Sequence, residues 1–307
     1  MTIERLSSTE AIALATERSA RMAAVDIGNT NYKFGLFNTP RLDAARKAGI
    51  DLAFPFSIDD LRIPPRQLRV LPTWLSVLMP KKSESHQPVL WLTASVNQQR
   101  TEELFQFLKQ KRPDDIFGEL ASADVPIETA YQNPAQLGID RKLAALAASR
   151  RFKGMTPVLI IDIGTAIKFD LVDENGIFLG GAIVPGLEIS LQYLSQKTEK
   201  LPVLSWSVKE LPQSYPAADT SGAILTGIFG SLAGAAFYFY KEALAVTKRS
   251  QIPILLTGGG ATGLELPLKQ SFAPFFPPSK THIRTVRDLI LSGIELTREN
   301  LVFQGLR

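Results

Sequence analysis

Twice along the chain a short apolar run ends in the same kind of polar turn and then alternates back. Residues 22–25 lead into Asp26-Ile27-Gly28-Asn29-Thr30-Asn31, and alternation resumes through Tyr32, Phe34, Leu36 and Phe37. Residues 158–161 lead into Asp162-Ile163-Gly164-Thr165-Ala166, with the return through Phe169, Leu171 and Val172. An apolar run, a polar turn and a period-two return predict a β-hairpin in each place. The second hairpin continues past Asn175-Gly176 into a strand over 177–183. Strands are also expected at 89–94, 124–129 and 254–257, the last followed by Gly258-Gly259-Gly260. Helical spacing covers 101–110 and 140–152, where Leu143, Leu146 and Ala147 fall at i, i+3 and i+4. Residues 38–80 are irregular, with prolines at 40, 55, 64, 65, 72 and 80, and predict loops with one helix. The duplicated hairpin predicts an α/β protein of two similar lobes, each opening on an Asp-bearing turn.

Composition fits that outline and narrows the chemistry. At 307 residues, 45% hydrophobic and 21% charged, the chain reads as globular and is too long for one core. The expected division is an extension over 1–21, a first lobe over 22–138 and a second over 139–307. The extension is Ala-rich and charged; Glu4, Arg5, Glu10, Glu17 and Arg18 interrupt any apolar region, so it is read as no signal peptide. The net charge of +4 is spread thinly, and Arg150, Arg151 and Lys153, or Lys248 and Arg249, make no stripe for nucleic acid. A small anionic substrate is partner enough for this balance. There is no cysteine and only two histidines, His86 and His282. Disulfides, thiolate catalysis and cysteine-bound zinc are thereby excluded, and histidine-based sites are disfavoured. Carboxylates, hydroxyls, lysines and backbone amides remain. Residues 220–240 carry no charge and could span a bilayer. Gly222, Gly227, Gly230 and Gly234, with Thr226 and Ser231, argue against a span; all-round apolar helices also occur at subunit interfaces, but the stretch is read as a buried helix in a cytoplasmic protein.

The two turns suit phosphate. A glycine lets the backbone approach an anion closely, and a following threonine adds a hydroxyl and an amide. An aspartate just before can hold a hydrated Mg²⁺ that bridges phosphate oxygens. A lone copy is a weak signal; two, at the heads of two lobes, predict aspartates and amides facing each other across a cleft. Phosphoryl transfer asks little more of a protein than that positioning and charge. Lys33 either adds charge on the phosphates or is a solvated strand lysine. Gly138-Ile139-Asp140-Arg141 has two readings as well. Asp140 complements the dipole of a helix start, or it is the base on an acceptor hydroxyl while Arg141 forks an acceptor carboxylate. Gly180-Gly181 and Pro185-Gly186 read as strand-end and turn residues, and the Gly258 triplet as an ordinary turn or an adenosine cradle.

These segments together resemble the type III pantothenate kinases of the actin, sugar-kinase and Hsp70 ATPase superfamily. The likeness runs from Met22 onward, through Asp26-Ile27-Gly28-Asn29-Thr30-Asn31, Gly35-Leu36-Phe37, and Tyr131-x-Asn133-Pro134-x-x-Leu137-Gly138-Ile139-Asp140-Arg141. It continues through Asp162-Ile163-Gly164-Thr165-Ala166 with Asp170, Gly180-Gly181-x-Ile183-x-Pro185-Gly186, Thr220-x-x-Ala223-Ile224-x-x-Gly227 and Leu256-Thr257-Gly258-Gly259. The resemblance implies two ribonuclease H-like lobes of the actin-like ATPase fold, with mixed sheets, flanking helices and a cleft between the lobes. It implies ATP-dependent phosphorylation of pantothenate to 4′-phosphopantothenate, the first step of coenzyme A biosynthesis. Asp26 would then hold Mg²⁺, with Gly28, Asn29, Thr30 and Lys33 around the ATP phosphates and Gly164, Thr165 and Ala166 nearby. Asp140 would be the catalytic base, and Tyr131, Gly138 and Arg141 would line the pantothenate site. Asp162 would bind a monovalent cation, potassium or ammonium. The implied assembly is a cytoplasmic homodimer in which Thr220 reaches in from the partner subunit.

Three features depart from the family pattern. Lys168 stands where a small hydroxyl residue is usual, and its ammonium could replace the monovalent cation. Gly260 stands where an acidic residue is common. Residues 1–21 and 38–80 have no counterpart. The ending Leu301-Val302-Phe303-Gln304-Gly305-Leu306 resembles the family's last strand and turn; it also resembles a protease-tag scar with Val302 in place of tyrosine, and the native reading is preferred. Two other functions stay open at this level: a kinase or phosphatase of the same fold with another acceptor, and a non-catalytic regulatory relative.

Overall fold

The computed structural model describes residues 3–37, 61–63, 88–151, 157–211, 215–277, 282–287 and 289–305. In chain order the elements are β1 (Arg5–Ser7), α1 (Ser8–Glu17), β2 (Arg21–Ile27), β3 (Tyr32–Phe37), β4 (Leu61–Ile63), β5 (Val89–Ser95), α2 (Gln98–Lys111) and β6 (Ile116–Glu119). There follow α3 (Ile139–Arg151), β7 (Val158–Ile163), β8 (Ala166–Val172), β9 (Phe178–Pro185), α4 (Leu187–Lys197) and α5 (Thr220–Thr247). The chain closes with β10 (Ile254–Thr257), α6 (Glu265–Phe272), β11 (Ile283–Thr285) and α7 (Leu289–Gly305). Apart from β4, the irregular segment at 38–80 lies outside the described residues.

The first compact unit comprises Met1–Ile127, Gln132–Arg151 and Asp288–Arg307. Its sheet has the order β1-β6-β5-β2-β3-β4. β2 pairs antiparallel with β3 and parallel with β5, so strand direction switches at β2, the strand that carries Asp26. Every β2 residue from Met22 to Ile27 is buried, the pattern of a central strand covered on both faces. α2 supplies the crossover between the parallel pair β5 and β6.

Residues 3–21 build onto this sheet as a strand and a helix. β1 pairs parallel with β6, and Ser7 and Glu10 form a capping box that starts α1. Ala11, Ile12 and Ala15 then bury the inner face of that helix. The middle of α3 is small or aliphatic, with Leu143, Ala144, Ala145, Leu146, Ala147 and Ala148 buried. It packs against α7, and a side chain at Gly293 would overlap the backbone of Leu143, so the two helices approach closely. The strand and turn expected at the chain's end are therefore a helix. Leu289, Ile290, Leu291 and Ile294 carry its first turns into the core of this unit, although it follows all of the second unit in sequence. The compact units are thus interleaved along the chain, and the helix after Gly138 belongs with the first.

The second unit comprises Glu128–Tyr131 and Phe152–Arg287. Its sheet has the order β11-β10-β7-β8-β9, with β7 parallel to β10 and antiparallel to β8. β4-β3-β2-β5-β6 in the first sheet and β9-β8-β7-β10-β11 in the second have the same order and strand directions. Their likeness is what the duplicated hairpin predicts, and both have the ribonuclease H-like arrangement that the resemblance implies.

The strand expected at 124–129 does not form. Residues 122–124 make a 3₁₀ turn, Pro126 removes a ladder donor, and only Thr129 bridges, to Phe178. The sheet strand lies earlier, at β6. Nor is α5 a buried helix within one chain. Leu225, Leu232, Ala236, Tyr240 and Ala243 form a buried stripe, but only 22% of its most apolar window is buried. Around Gly227, Gly230 and Gly234 there is open space where a side chain would stand.

Candidate active site

Asp26 is the one charged residue in the buried run of β2, and the hairpin register sets it opposite Lys33. Lys33 Nζ lies 2.9 Å from Asp26 Oδ2, and the two side chains are only 18% and 7% exposed. Lys33 is therefore no solvated strand lysine. The turn beyond Asp26 is closed by the Gly28 N–H donating to the Asn31 carbonyl at 3.1 Å, leaving Asn29 and Thr30 exposed at its tip. The start of α2 braces this turn. Asn97 caps the helix by accepting the Arg100 N–H at 3.1 Å, and its Nδ2 donates to Asn29 Oδ1 at 3.3 Å. Arg100 Nη1 donates to the Gly28 carbonyl at 3.2 Å. Asn97 is legible in the sequence as an N-cap ahead of a helix. Nothing in the sequence ties Arg100 to a turn so far from it.

The Gly138–Arg141 motif opens α3 in the same unit. The Asp140 carboxylate is fixed by its own helix start, with Oδ1 accepting the Arg141 N–H at 2.9 Å. A Cβ on residue 138 would stand 2.6 Å from that oxygen, so only glycine leaves the carboxylate where it is. Arg141 is buried, and its N–H also reaches the Gly138 carbonyl at 3.1 Å. Next to it Lys142 Nζ donates to the Ser122 carbonyl at 3.0 Å, and burial lowers its pKa.

The second unit repeats the charge pattern of the first. Asp162 faces Lys168 across β7 and β8, with Nζ 2.7 Å from Oδ2. The Gly164 N–H donates to the Ala166 carbonyl at 3.1 Å, and Gly186 N–H reaches the Thr165 carbonyl at 3.0 Å. Three glycines exist because backbone runs against this hairpin. A side chain at Gly258 (φ +84°) would overlap Asp162 Oδ1 and the Ile163 carbonyl. One at Gly186 would overlap the Gly164 and Thr165 carbonyls, and one at Gly181 those of Phe169 and the Asp170 side chain. Gly181 and Gly180 lie inside β9, not at its end. The Tyr131 ring lies near Gly180 and 6.2 Å from Phe178. Thr220 is exposed at the head of α5, where Asp219 caps the helix by accepting the Gly222 N–H at 2.8 Å.

The expected residues thus fall into two sets. Asp26, Gly28, Asn29, Thr30, Lys33, Gly138, Asp140 and Arg141 belong to the first unit; Tyr131, Asp162, Gly164, Thr165, Ala166 and Thr220 belong to the second. No cluster of three or more histidines or carboxylates that could cage a metal occurs among the described residues. A single buried carboxylate fits Mg²⁺, which keeps waters and takes substrate phosphate oxygens for the rest of its shell.

Comparison with known proteins gives the family and the fold. The family model for type III pantothenate kinases matches residues 22–242. A type III pantothenate kinase of Finegoldia magna is 29% identical over 244 residues, covering 78% of this chain and 86% of the relative. Among solved structures, an acetate kinase of Porphyromonas gingivalis superposes with a TM-score of 0.51 at 11% identity, over 92% of this chain and 100% of that one. A Campylobacter jejuni protein assigned to the Baf family of transcriptional activators gives 0.51 at 20% identity, over 91% and 98%. At those identities the two structures speak for the fold alone, which is that of the actin-like ATPases. The match of family model and relatives across most of its length shows that the chain belongs to the type III pantothenate kinases.

Proposed function

We propose that this chain transfers the γ-phosphoryl group of ATP to the primary hydroxyl of pantothenate, giving ADP and 4′-phosphopantothenate, the first step of coenzyme A biosynthesis. The observation that carries the reading is the start of α3. It presents a carboxylate held in one orientation beside a buried arginine, in the same unit as the Asp26 turn. Asp140 takes the proton of the attacking hydroxyl. Arg141 and Gly138 hold pantothenate, and the arginine forks its carboxylate. The amides of Gly28, Asn29 and Thr30 and the Lys33 ammonium hold the phosphates of ATP. Asp26 would hold Mg²⁺, which when bound would neutralise charge on the ATP phosphates. A coupled ADP-release assay over an acceptor panel tests the proposal. ADP is expected with pantothenate and not with hexoses or with water alone; equal release without pantothenate contradicts it.

Beside Asp162 the Lys168 ammonium, 2.7 Å from the carboxylate, supplies one positive charge of the kind a monovalent cation would bring. We read Lys168 as the built-in substitute. Turnover is expected to be the same in potassium and in a large organic cation. Lys168→Thr is expected to lose roughly tenfold or more, the scale of one charged hydrogen bond, and to regain activity with potassium or ammonium. A parent enzyme that stops without potassium would refute the substitution.

The enzyme is proposed to be a cytoplasmic homodimer joined along α5, since that helix exposes most of an uncharged surface that suits a protein partner. Light scattering should give twice the 33.7 kDa chain mass. Gly230→Glu, placed where there is open space in the single chain, should shift the protein to the mass of one chain. A parent protein that already runs as one chain contradicts this arrangement.

A further inference from the structure

Arg100 is a long cationic side chain that the chemistry above does not use, yet it is only 6% exposed. Burying a guanidinium is costly unless its surroundings compensate. Its guanidinium carbon lies 4.8 Å from the centre of the Tyr32 ring, a stacked cation–π arrangement. Tyr32 is fully buried, and its hydroxyl donates to the Arg100 carbonyl at 2.8 Å and to Glu103 at 3.3 Å. Burial, and then the nearby Glu103 charge, raise the Tyr32 pKa, which keeps that hydroxyl a neutral donor. The side chain is thus locked, and what it holds is the Gly28 carbonyl, 3.2 Å from Nη1.

That carbonyl belongs to the peptide joining Gly28 to Asn29. In a planar trans peptide the C=O and the following N–H point in opposite directions. Pinning the Gly28 carbonyl towards α2 therefore aims the Asn29 N–H away from α2, out of the turn. The neighbouring bond from Asn97 Nδ2 to Asn29 Oδ1 holds the same residue by its side chain. A glycine at position 28 leaves this peptide free to flip, so a fixed amide needs an outside anchor.

We propose that Arg100 is a positioning residue for the nucleotide. It sets the Gly28–Asn29 peptide so that the Asn29 amide is presented to an ATP phosphate oxygen, and it places a fixed positive charge behind the turn. The proposal rests on the reading that the Asp26 turn holds the ATP phosphates.

The test compares Arg100→Met, Arg100→Gln, Arg100→Lys and, as a control on the turn itself, Asp26→Asn in the full-length enzyme. Steady-state kinetics against each substrate are paired with calorimetric binding of MgATP. Methionine and glutamine keep a stem to cover Tyr32 but cannot hold the Gly28 carbonyl with a cation. Each is expected to raise KM and Kd for ATP about tenfold, the effect of one charge-assisted hydrogen bond, with KM for pantothenate within about twofold. Arg100→Lys, which keeps the charge without the planar fork, is expected to fall between parent and Arg100→Met. Unchanged ATP affinity in Arg100→Gln or Arg100→Met, or an equal loss for both substrates, overturns the positioning role. If Asp26→Asn weakens ATP binding and the Arg100 variants do not, only this proposal fails. If Asp26→Asn leaves ATP binding intact, the reading of the turn fails with it.

Discussion

Asp140→Asn lowers kcat for pantothenate phosphorylation by about 10²–10⁴-fold, the range for losing a positioned general base, while Kd for ATP stays within about twofold. The substitution is nearly isosteric. An asparagine oxygen can still accept the Arg141 N–H that Asp140 Oδ1 accepts at 2.9 Å, so the helix start and the protein's stability are expected to persist. What disappears is the capacity to take a proton from the hydroxyl. Pre-steady-state mixing with pantothenate and ATP separates this from a binding defect: the chemical step slows and the binding phase does not. A mutant that keeps the parental rate assigns the base elsewhere.

Asp26→Asn acts on the other substrate. The carboxylate is 7% exposed on a central strand, with Lys33 Nζ at 2.9 Å. Neutralising it removes the carboxylate proposed to hold Mg²⁺ and the cross-strand charge opposite Lys33. KM for MgATP is expected to rise about 10–10²-fold, the cost of a charge-assisted contact, with KM for pantothenate nearly unchanged. Higher Mg²⁺ should restore part of the rate, because the defect lies in holding the metal with the phosphates. A titration of rate against Mg²⁺ at fixed ATP measures this. An unshifted Mg²⁺ dependence would take Asp26 out of the metal shell.

How far these sites were visible before the fold was known differs residue by residue. Both hairpins were legible because an apolar run, Asp-Ile-Gly and a period-two return are local signals, and β2–β3 and β7–β8 follow them closely. The local pattern also gave Lys33 as a nearby charge, and the departure from the family pattern gave Lys168. Only the antiparallel register shows that each faces its hairpin's aspartate, so that the two turns are more alike than their residues suggest. The parts that depend on distant pairing were hidden. β1 and β6 are three and four residues long and too short for periodicity to detect. α7 closes over α3 from the far end of the chain, and its final residues were mistaken for a strand because the motif there carries no packing information. Arg100 meets Gly28 only because β2 and β5 lie side by side and α2 starts where β5 ends. The glycines at 181, 186 and 258 read as turn residues in sequence. In the fold they are places where one backbone passes against another, a property that no single segment displays.

Phosphoryl transfer to pantothenate is read most directly from the product. The enzyme is incubated with MgATP and pantothenate, and ADP and phosphorylated pantothenate are quantified together by ³¹P NMR and mass spectrometry. The expected result is one 4′-phosphopantothenate for each ADP, with no ADP above background when pantothenate is left out. ADP formed at the same rate without pantothenate, or ATP bound with neither product formed, would contradict it: the first would mean an ATP-hydrolysing relative and the second a non-catalytic one.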